Sequence, residues 1–403
     1  MMITFCNKIN LFITLVLLQT ILSGCTKNTN SEIHPTDTFL KKIESYDLSK
    51  SFNTLEIHSL NDSISTIYDL GQSNEFNHQN LFTSISNIAV SNDGVIFTAS
   101  SLTNEIIVFD EFGTYLSSIG KSGRGPGEFT RLSKIAIHNE KNLLVALDNY
   151  EIETFDISDV LNPKHLKTLN FEIQSSSDIC ISENYIFVAG QKIYENSNPS
   201  NIYDSIIGSK PIHKIKLSDL GYIESFGKTY PSSTGYAPFE GILSRTSVAC
   251  TEKNDDVVSI LSNFPYVTVY DGNSGQSKLE FGILDLPVQK YEEFLRESEP
   301  ILKKNKSIKK LFAYDDFINF DTDMYLLQIV EKIDGLSDYT QQVDYIRNNH
   351  YVIPLVINSR DGSITKYEKE KHIWLHRNDN YQIVSKPFSA FNGTTEYVIE
   401  YFE

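Results

Sequence analysis

Two imidazoles four residues apart, in His372-Ile373-Trp374-Leu375-His376, form the chain's most evident metal-ligand spacing, because on a helix they would share one face. The zincin arrangement needs Glu directly after the first His, and Ile373 stands there. The segment also alternates as a strand does, and no third ligand lies nearby, so no metal is expected. Gly120-Lys121-Ser122 imitates the end of a phosphate-binding loop, but the glycine required five residues before Gly120 is replaced by Tyr115. No Gly-x-Ser-x-Gly occurs, and neither Cys180 nor Cys250 has a local catalytic signature. Asp315-Asp316 and Asp321-Thr322-Asp323 lack the spacing of a calcium loop and read as solvated charges in loops or at strand ends. The other histidines (His34, His58, His78, His138, His165, His213 and His350) are scattered. No catalytic residue and no cofactor is expected.

The chemistry that can be assigned belongs to Cys25. Lys8 is followed by a largely apolar run from Ile9 to Leu22, then by Ser23 and Gly24. That is the layout of a removable leader. The run, about 14 residues and broken by Asn10, Thr14, Gln19 and Thr20, is short of the roughly 20 apolar residues that span a bilayer. Residues 1–24 are therefore expected to be a lipoprotein signal peptide, with Cys25 acylated and forming the new N-terminus. Each buried acyl methylene contributes about 0.8 kcal/mol, so two or three chains anchor stably. Residues 25–44 read as the lipidated cysteine and a polar tether, and residues 45–403 as one folded domain. Thr26 and the lack of an early acidic cluster favour the periplasmic face of the outer membrane over the cell surface. The net charge of −17, and −18 once Lys8 is removed, would repel nucleic acid.

The elements that must position any site are repeats. Asn87-Ile88-Ala89-Val90, Lys134-Ile135-Ala136-Ile137, Asp178-Ile179-Cys180-Ile181 and Ser247-Val248-Ala249-Cys250 share a pattern of polar, β-branched, small, then apolar. Each opens a unit that continues with turn residues and further short strands, such as Ile107–Phe109 and Tyr115–Ile119. The units at Ile88, Ile135 and Ile179 start 47 and 44 residues apart, the period of a propeller blade. The start at Val248 comes 69 residues after Ile179, so one unit carries insertions, placed at 191–212 and 228–246. A looser fifth unit runs from Phe317 to Tyr367. Segments near the two ends, 54–60 and 63–70 early and 373–375, 381–384 and 397–401 late, would combine into a sixth that pairs the chain termini. The expected fold is all-β: a six-bladed propeller of four-stranded antiparallel blades, with seven blades as the alternative. Residues 287–306, with Tyr291, Phe294 and Leu295 among charges and Pro300 as a breaker, predict a short amphipathic helical insertion.

Gly120-x-x-Gly123-x-Gly125-Pro126-Gly127-Glu128-Phe129, followed by Ile135-Ala136-Ile137, Asp148-Asn149 and Phe155-Asp156, resembles consecutive NHL repeats over residues 84–157. Leu132 departs from the usual Pro and Ser100 from the usual Asp. With the leader, the chain resembles the six-bladed propeller lipoproteins of Bacteroidetes described as TolB-like or BF3164-like. That resemblance implies a fold and an envelope location without an established chemistry. The glycines read first as a sharp corner between blades.

Blade-to-blade corners and the loops between second and third strands share one rim of a propeller. Arg124 and Arg131 on such a corner, with Asp148, Asn149 and Tyr150 on such a loop, are the candidate ligand-binding residues. The expected function is a non-enzymatic binding or scaffold module for an envelope protein, glycan or small molecule. The alternative is an envelope lyase or hydrolase using a rim pocket, with or without a bound metal. In the repeat alignment Cys180 and Cys250 fall on opposite sides of their strands, so two buried free thiols are expected.

Overall fold

A computed structural model describes residues 56–58, 64–70, 85–148, 151–170, 173–192, 210–229, 244–262, 264–283, 293–294, 296–298, 300, 313–332, 350–386 and 396–403. The leader, Cys25 and the tether lie outside these residues. The middle strands of the first four blades are short apolar runs buried on both faces, such as β4 and β8, while outer strands such as Tyr115–Ile119 are partly exposed. Blade 1 contains β3 (Ile85–Val90), β4 (Ile96–Ser100), β5 (Glu105–Phe109) and β6 (Tyr115–Ile119). Blade 2 contains β7 (Leu132–His138), β8 (Leu143–Asp148), β9 (Glu151–Asp156) and β10 (Lys164–Asn170). Blade 3 contains β11 (Ile173–Ile181), β12 (Tyr185–Lys192), β13 (Ile212–Lys216) and β14 (Tyr222–Phe226). Blade 4 contains β15 (Thr246–Cys250), β16 (Asp256–Leu261), β17 (Phe264–Asp271) and β18 (Ser277–Gly282).

Blade 5 is built from β19 (Ala313–Asp321), β20 (Met324–Lys332), β21 (His350–Asn358) and β22 (Ile364–Tyr367). Here the structure corrects the sequence reading. The short β1 (Ile57–His58) was expected in the sixth blade, but it lies parallel to β22 as a fifth strand of blade 5. The outer edge of β22 offers unpaired backbone groups, and the incoming chain takes them before it reaches blade 6. Blade 6 joins β23 (Ile373–Arg377), β24 (Tyr381–Lys386) and β25 (Glu396–Phe402) to β2 (Ile64–Asp69). The β2–β25 pairing, with Tyr68 opposite Ile399, closes the ring between the two ends of the chain as expected.

The core lies between blades, in separate apolar layers rather than one centre. Phe97, Ile106, Phe129, Ile135 and Leu144 fill the seam between blades 1 and 2. Val145, Ile152, Ile179 and Ile181 fill the next. In the layer between blades 3 and 4 sit Cys180, Phe187, Val248, Cys250 and Tyr270, and Cys180 and Cys250 form a disulfide with Cα atoms 5.7 Å apart. This overturns the expectation of free thiols. The opposite parity was read correctly and interpreted wrongly. Neighbouring blades pack face to face, so the forward face of one meets the backward face of the next, and residues that bridge a seam must have opposite parity. Ile179 and Ile181 accordingly face blade 2, while Ala249 faces blade 5.

Residues 293–294, 296–298 and 300 are helical, as expected of the insertion. Phe294 is buried and meets the edge of Phe264 at the start of β17, with ring centroids 6.0 Å apart.

Candidate functional site

Three features of the ring could act on another molecule: the glycine-rich corner, the central channel, and the mouth of that channel. The corner joins β6 to β7. Gly120 has φ of 75°, and a Cβ there would lie 2.2 Å from the Phe129 ring, so no other residue fits. Backbone bonds from Gly123 N–H to the Phe129 carbonyl and from Phe129 N–H to the Lys121 carbonyl close the turn. The Gly125 N–H donates to Glu128 at 2.9 Å and Lys121 pairs with Glu128 at 3.1 Å. Together these hold the Glu128 carboxyl below its usual range.

Asp148, at the end of β8, accepts hydrogen bonds from Thr130 N–H at 2.8 Å, Thr130 Oγ1 at 3.0 Å and Arg131 N–H. It is 1 % exposed. The carboxylate is thus spent on the corner, and its part in any recognition is to position the backbone beneath Arg131. Arg124 and Arg131 are exposed. Asn149 and Tyr150 lie outside the described residues. In blade 1 Ser100 replaces the aspartate, and the neighbouring Asn104 reaches forward instead, accepting the Leu132 N–H at 3.1 Å.

The channel is walled by the six inner strands, and the polar first position of the repeat explains its upper end. Asn87 accepts the N–H of Ile135 at 2.8 Å, one blade on. Asp178 accepts the N–H of Val248 at 3.1 Å, and Lys134 lies 3.8 Å from Asp178. Ser247 accepts from the Tyr314 hydroxyl at 2.8 Å, whose ionisation burial pushes up. Below this belt lies a cavity of about 400 Å³ that reaches the turns between first and second strands.

That mouth has a polar strut that sequence reading missed. Glu252, from blade 4, accepts Asn139 N–H at 2.8 Å and Asn139 Nδ2 at 2.6 Å, and lies 3.3 Å from His138 Nδ1, all on blade 2. Asn139 in turn accepts the Asn92 N–H of blade 1 at 2.8 Å. Lys141 Nζ is 2.7 Å from His138 Nε2. The strut ties residues 113 apart in sequence, and nothing in their local spacing announces it. The turns at this mouth carry acids from every blade, Asp93, Glu140, Glu183, Glu252 with Asp255, Asp323 and Asp379, with Asp321 at the end of β19, and Lys141 and Lys253 stand among them.

His372 and His376 do not act together. His372 pairs with Glu370, while His376 lines the channel beside the Tyr381 ring, and burial pushes its imidazole down to about 4. Among the described residues no three His, Cys, Asp or Glu side chains are grouped to hold a metal ion. Asp323, read as solvated, is buried and pairs with Arg360 at 2.5 Å while accepting from Asn254 at 3.0 Å. A second unforeseen cluster sits on blade 2: buried Glu153 is bonded to His165 at 2.6 Å and to the Thr168 hydroxyl at 2.8 Å. Both contacts converge on the carboxylate, and the Thr168 hydroxyl also lies 3.3 Å from His165 Nε2.

These features define the protein as a six-bladed β-propeller with a polar, internally braced channel. Residues 75–218 match the model of DUF5128, a family described as a 6-bladed beta-propeller. No curated protein matches the sequence. Among solved structures, a Bacteroides fragilis protein described as exported aligns with TM-score 0.51 and 11 % identity, over 87 % of this chain and 99 % of its own. A DUF4221 family member from Bacteroides vulgatus gives TM-score 0.51 at 10 % identity, over 86 % and 99 %. The WD40 repeats of RRP9 give 0.50 at 10 %, over 87 % and 100 %. Identities this low establish the fold alone.

Proposed function

We propose that this protein is an envelope lipoprotein that binds a partner through the rim bearing Arg124 and Arg131, without catalysing a reaction. The carrying observation is the asymmetry of the two propeller faces. The connections 70–84, 193–211, 227–245, 283–312, 333–349 and 387–395 all leave from strand ends on the rim that holds the glycine corner. On the opposite face, the turns between first and second strands span as little as residues 322–323 and at most residues 91–95 or 251–255. Sequence variety concentrated on one end of a rigid scaffold is the usual layout of a recognition surface. Arg124 and Arg131, with Asp148 supporting the backbone at Arg131, suit a partner presenting carboxylates, which guanidinium forks bind in two-point fashion; Asn149 and Tyr150, outside the described residues, complete the proposed set.

The leader supports lipid anchoring at Cys25, and one structural relative is itself described as exported. Acyl chains on Cys25 are the proposed attachment, with the periplasmic face of the outer membrane as the proposed location; among the described residues no helix is long and apolar enough to cross a membrane. Two measurements test this reading. Cys25→Ser should move the protein from the membrane to the soluble fraction; an unchanged distribution refutes the anchor. Capture from native membranes should recover a partner with the wild type and lose it by about tenfold with Arg124→Glu/Arg131→Glu. Equal recovery with both proteins removes the rim from the account.

A further inference from the structure

We propose that the foot of the seam between blades 6 and 1, on the face opposite the arginine-bearing rim, docks a basic segment of a protein partner, whose arginine or lysine side chains lie against Tyr68, Phe112 and Tyr401. The rings gather where the two ends of the chain close the propeller. Tyr401 on β25 meets Tyr68 on β2 with centroids 5.8 Å apart and planes at 86°, and Tyr68 meets Phe112, in the turn between β5 and β6, at 5.4 Å and 64°. The Tyr401 hydroxyl donates to the Glu111 carbonyl at 3.0 Å and ties the two blades together. Phe112 is 48 % exposed, at a turn position that a polar residue would serve equally well. Rings set edge to face form a corner, and a cation against their faces is attracted by the ring quadrupoles.

Charge selects the partner, because no local cation offsets the acids here. Between His78 and Lys121 the chain has no Lys, Arg or His, but it has Asp93, Glu105, Asp110 and Glu111. Glu105 stands at the rim end of β5. Asp110 is engaged by the N–H groups of Phe112 and Thr114 at 3.0 and 2.7 Å. The carboxylates of Asp93, Glu111 and, on blade 6, Asp379 have no partner among the described residues. Glu111 lies against Gly94, where an added Cβ would be 3.3 Å from its Oε2. Burial first, then the charge of Glu111, push the Tyr401 hydroxyl up, so that ring stays neutral.

The cations on the neighbouring feet are engaged elsewhere. Arg377 lies between the Trp374 and Phe402 rings, on the blade 5 side of blade 6, and donates to Gln382. Lys141 bonds His138 and the Glu183 carbonyl, Lys164 acts on Asp156 and Asp159, and Arg360 pairs with Asp323. A small cation on this open surface would stay hydrated on most sides, whereas a side chain carried by a larger partner buries the rings around it. The surface shares no residue with the rim, so either reading can fail alone.

The test is fluorescence anisotropy of a labelled peptide of alternating arginine and glycine with the detergent-solubilised full-length protein, against the glutamate–glycine counterpart and with choline as competitor. The expected result is saturable binding of the arginine peptide alone. It should weaken by about fivefold in Phe112→Ala, which alters no charge, and by about threefold in Glu111→Gln. Asp219→Asn, which removes an acid from the same face two blades away, should leave it unchanged. Phe112 and Glu111 are both exposed, so circular dichroism should show the fold retained in each variant. Four results overturn the proposal: no binding; equal affinity in Phe112→Ala, which would reduce the effect to the net charge of the chain; displacement by choline at the peptide's own concentration; or self-association lost in Arg124→Glu, which would make a second copy the occupant.

Discussion

His376 shows how a single side chain can tie the channel to pH. An unfolded imidazole takes up its proton near 6.5, whereas the folded one does so only near 4. Between those values the unfolded chain binds more protons, so stability is lost as pH falls from 6.5 toward 4, by about 3 kcal/mol at most. Denaturant unfolding at pH 7 and pH 4.5 should show a larger drop for the wild type than for His376→Gln; equal drops would mean the imidazole is not held neutral. Gly120→Ala should cost about 2–3 kcal/mol through its positive φ and the Phe129 ring behind it, measured by the same unfolding, and a neutral effect would contradict the corner geometry. The glycine corner was legible from its residues because its constraints are local. Glu252 and Asp323 were not, because an isolated acid in a turn looks solvated until the blade that supplies its partners is known.

At the level of strands, the repeat explains itself once the ring is closed. Its polar first position bonds the next blade, as Asn87 and Asp178 do, and its small third position packs in the seam toward the next blade. Both sets were visible as a pattern in sequence, but their purpose depends on which strands stand side by side. The Cys180–Cys250 bridge is the sharpest case, since correct strand parity led to the wrong chemistry until seams, rather than single sheets, were taken as the packing unit. The bridge closes a separation of 70 residues. By chain entropy it contributes about 4 kcal/mol, and such bonds persist in oxidising compartments. Non-reducing peptide mapping should recover the 180–250 linked peptide, and Cys180→Ser/Cys250→Ser should lower the melting temperature. Two alkylatable thiols in the envelope-extracted protein would refute the bridge. The placement of β1 on blade 5 was beyond sequence reading for a related reason: two residues on an outer edge carry no periodic signal.

Seen whole, the molecule is a ring closed by its own ends, with one braced, acidic mouth and one rim where the long connections gather. Fold and closure were legible because four units share one pattern, a fifth follows loosely, and the terminal strands each lack a complete blade. Partner and ligand were not, because the rim is built from non-repeating segments. The central claim is that the rim does the binding. It is tested most directly by placing a photo-crosslinking residue at position 124 on the rim or at position 93 on the opposite mouth, then irradiating intact cells. The account predicts a discrete crosslinked species from position 124 and none of the same mass from position 93. The same species from both, or from position 93 alone, would contradict it.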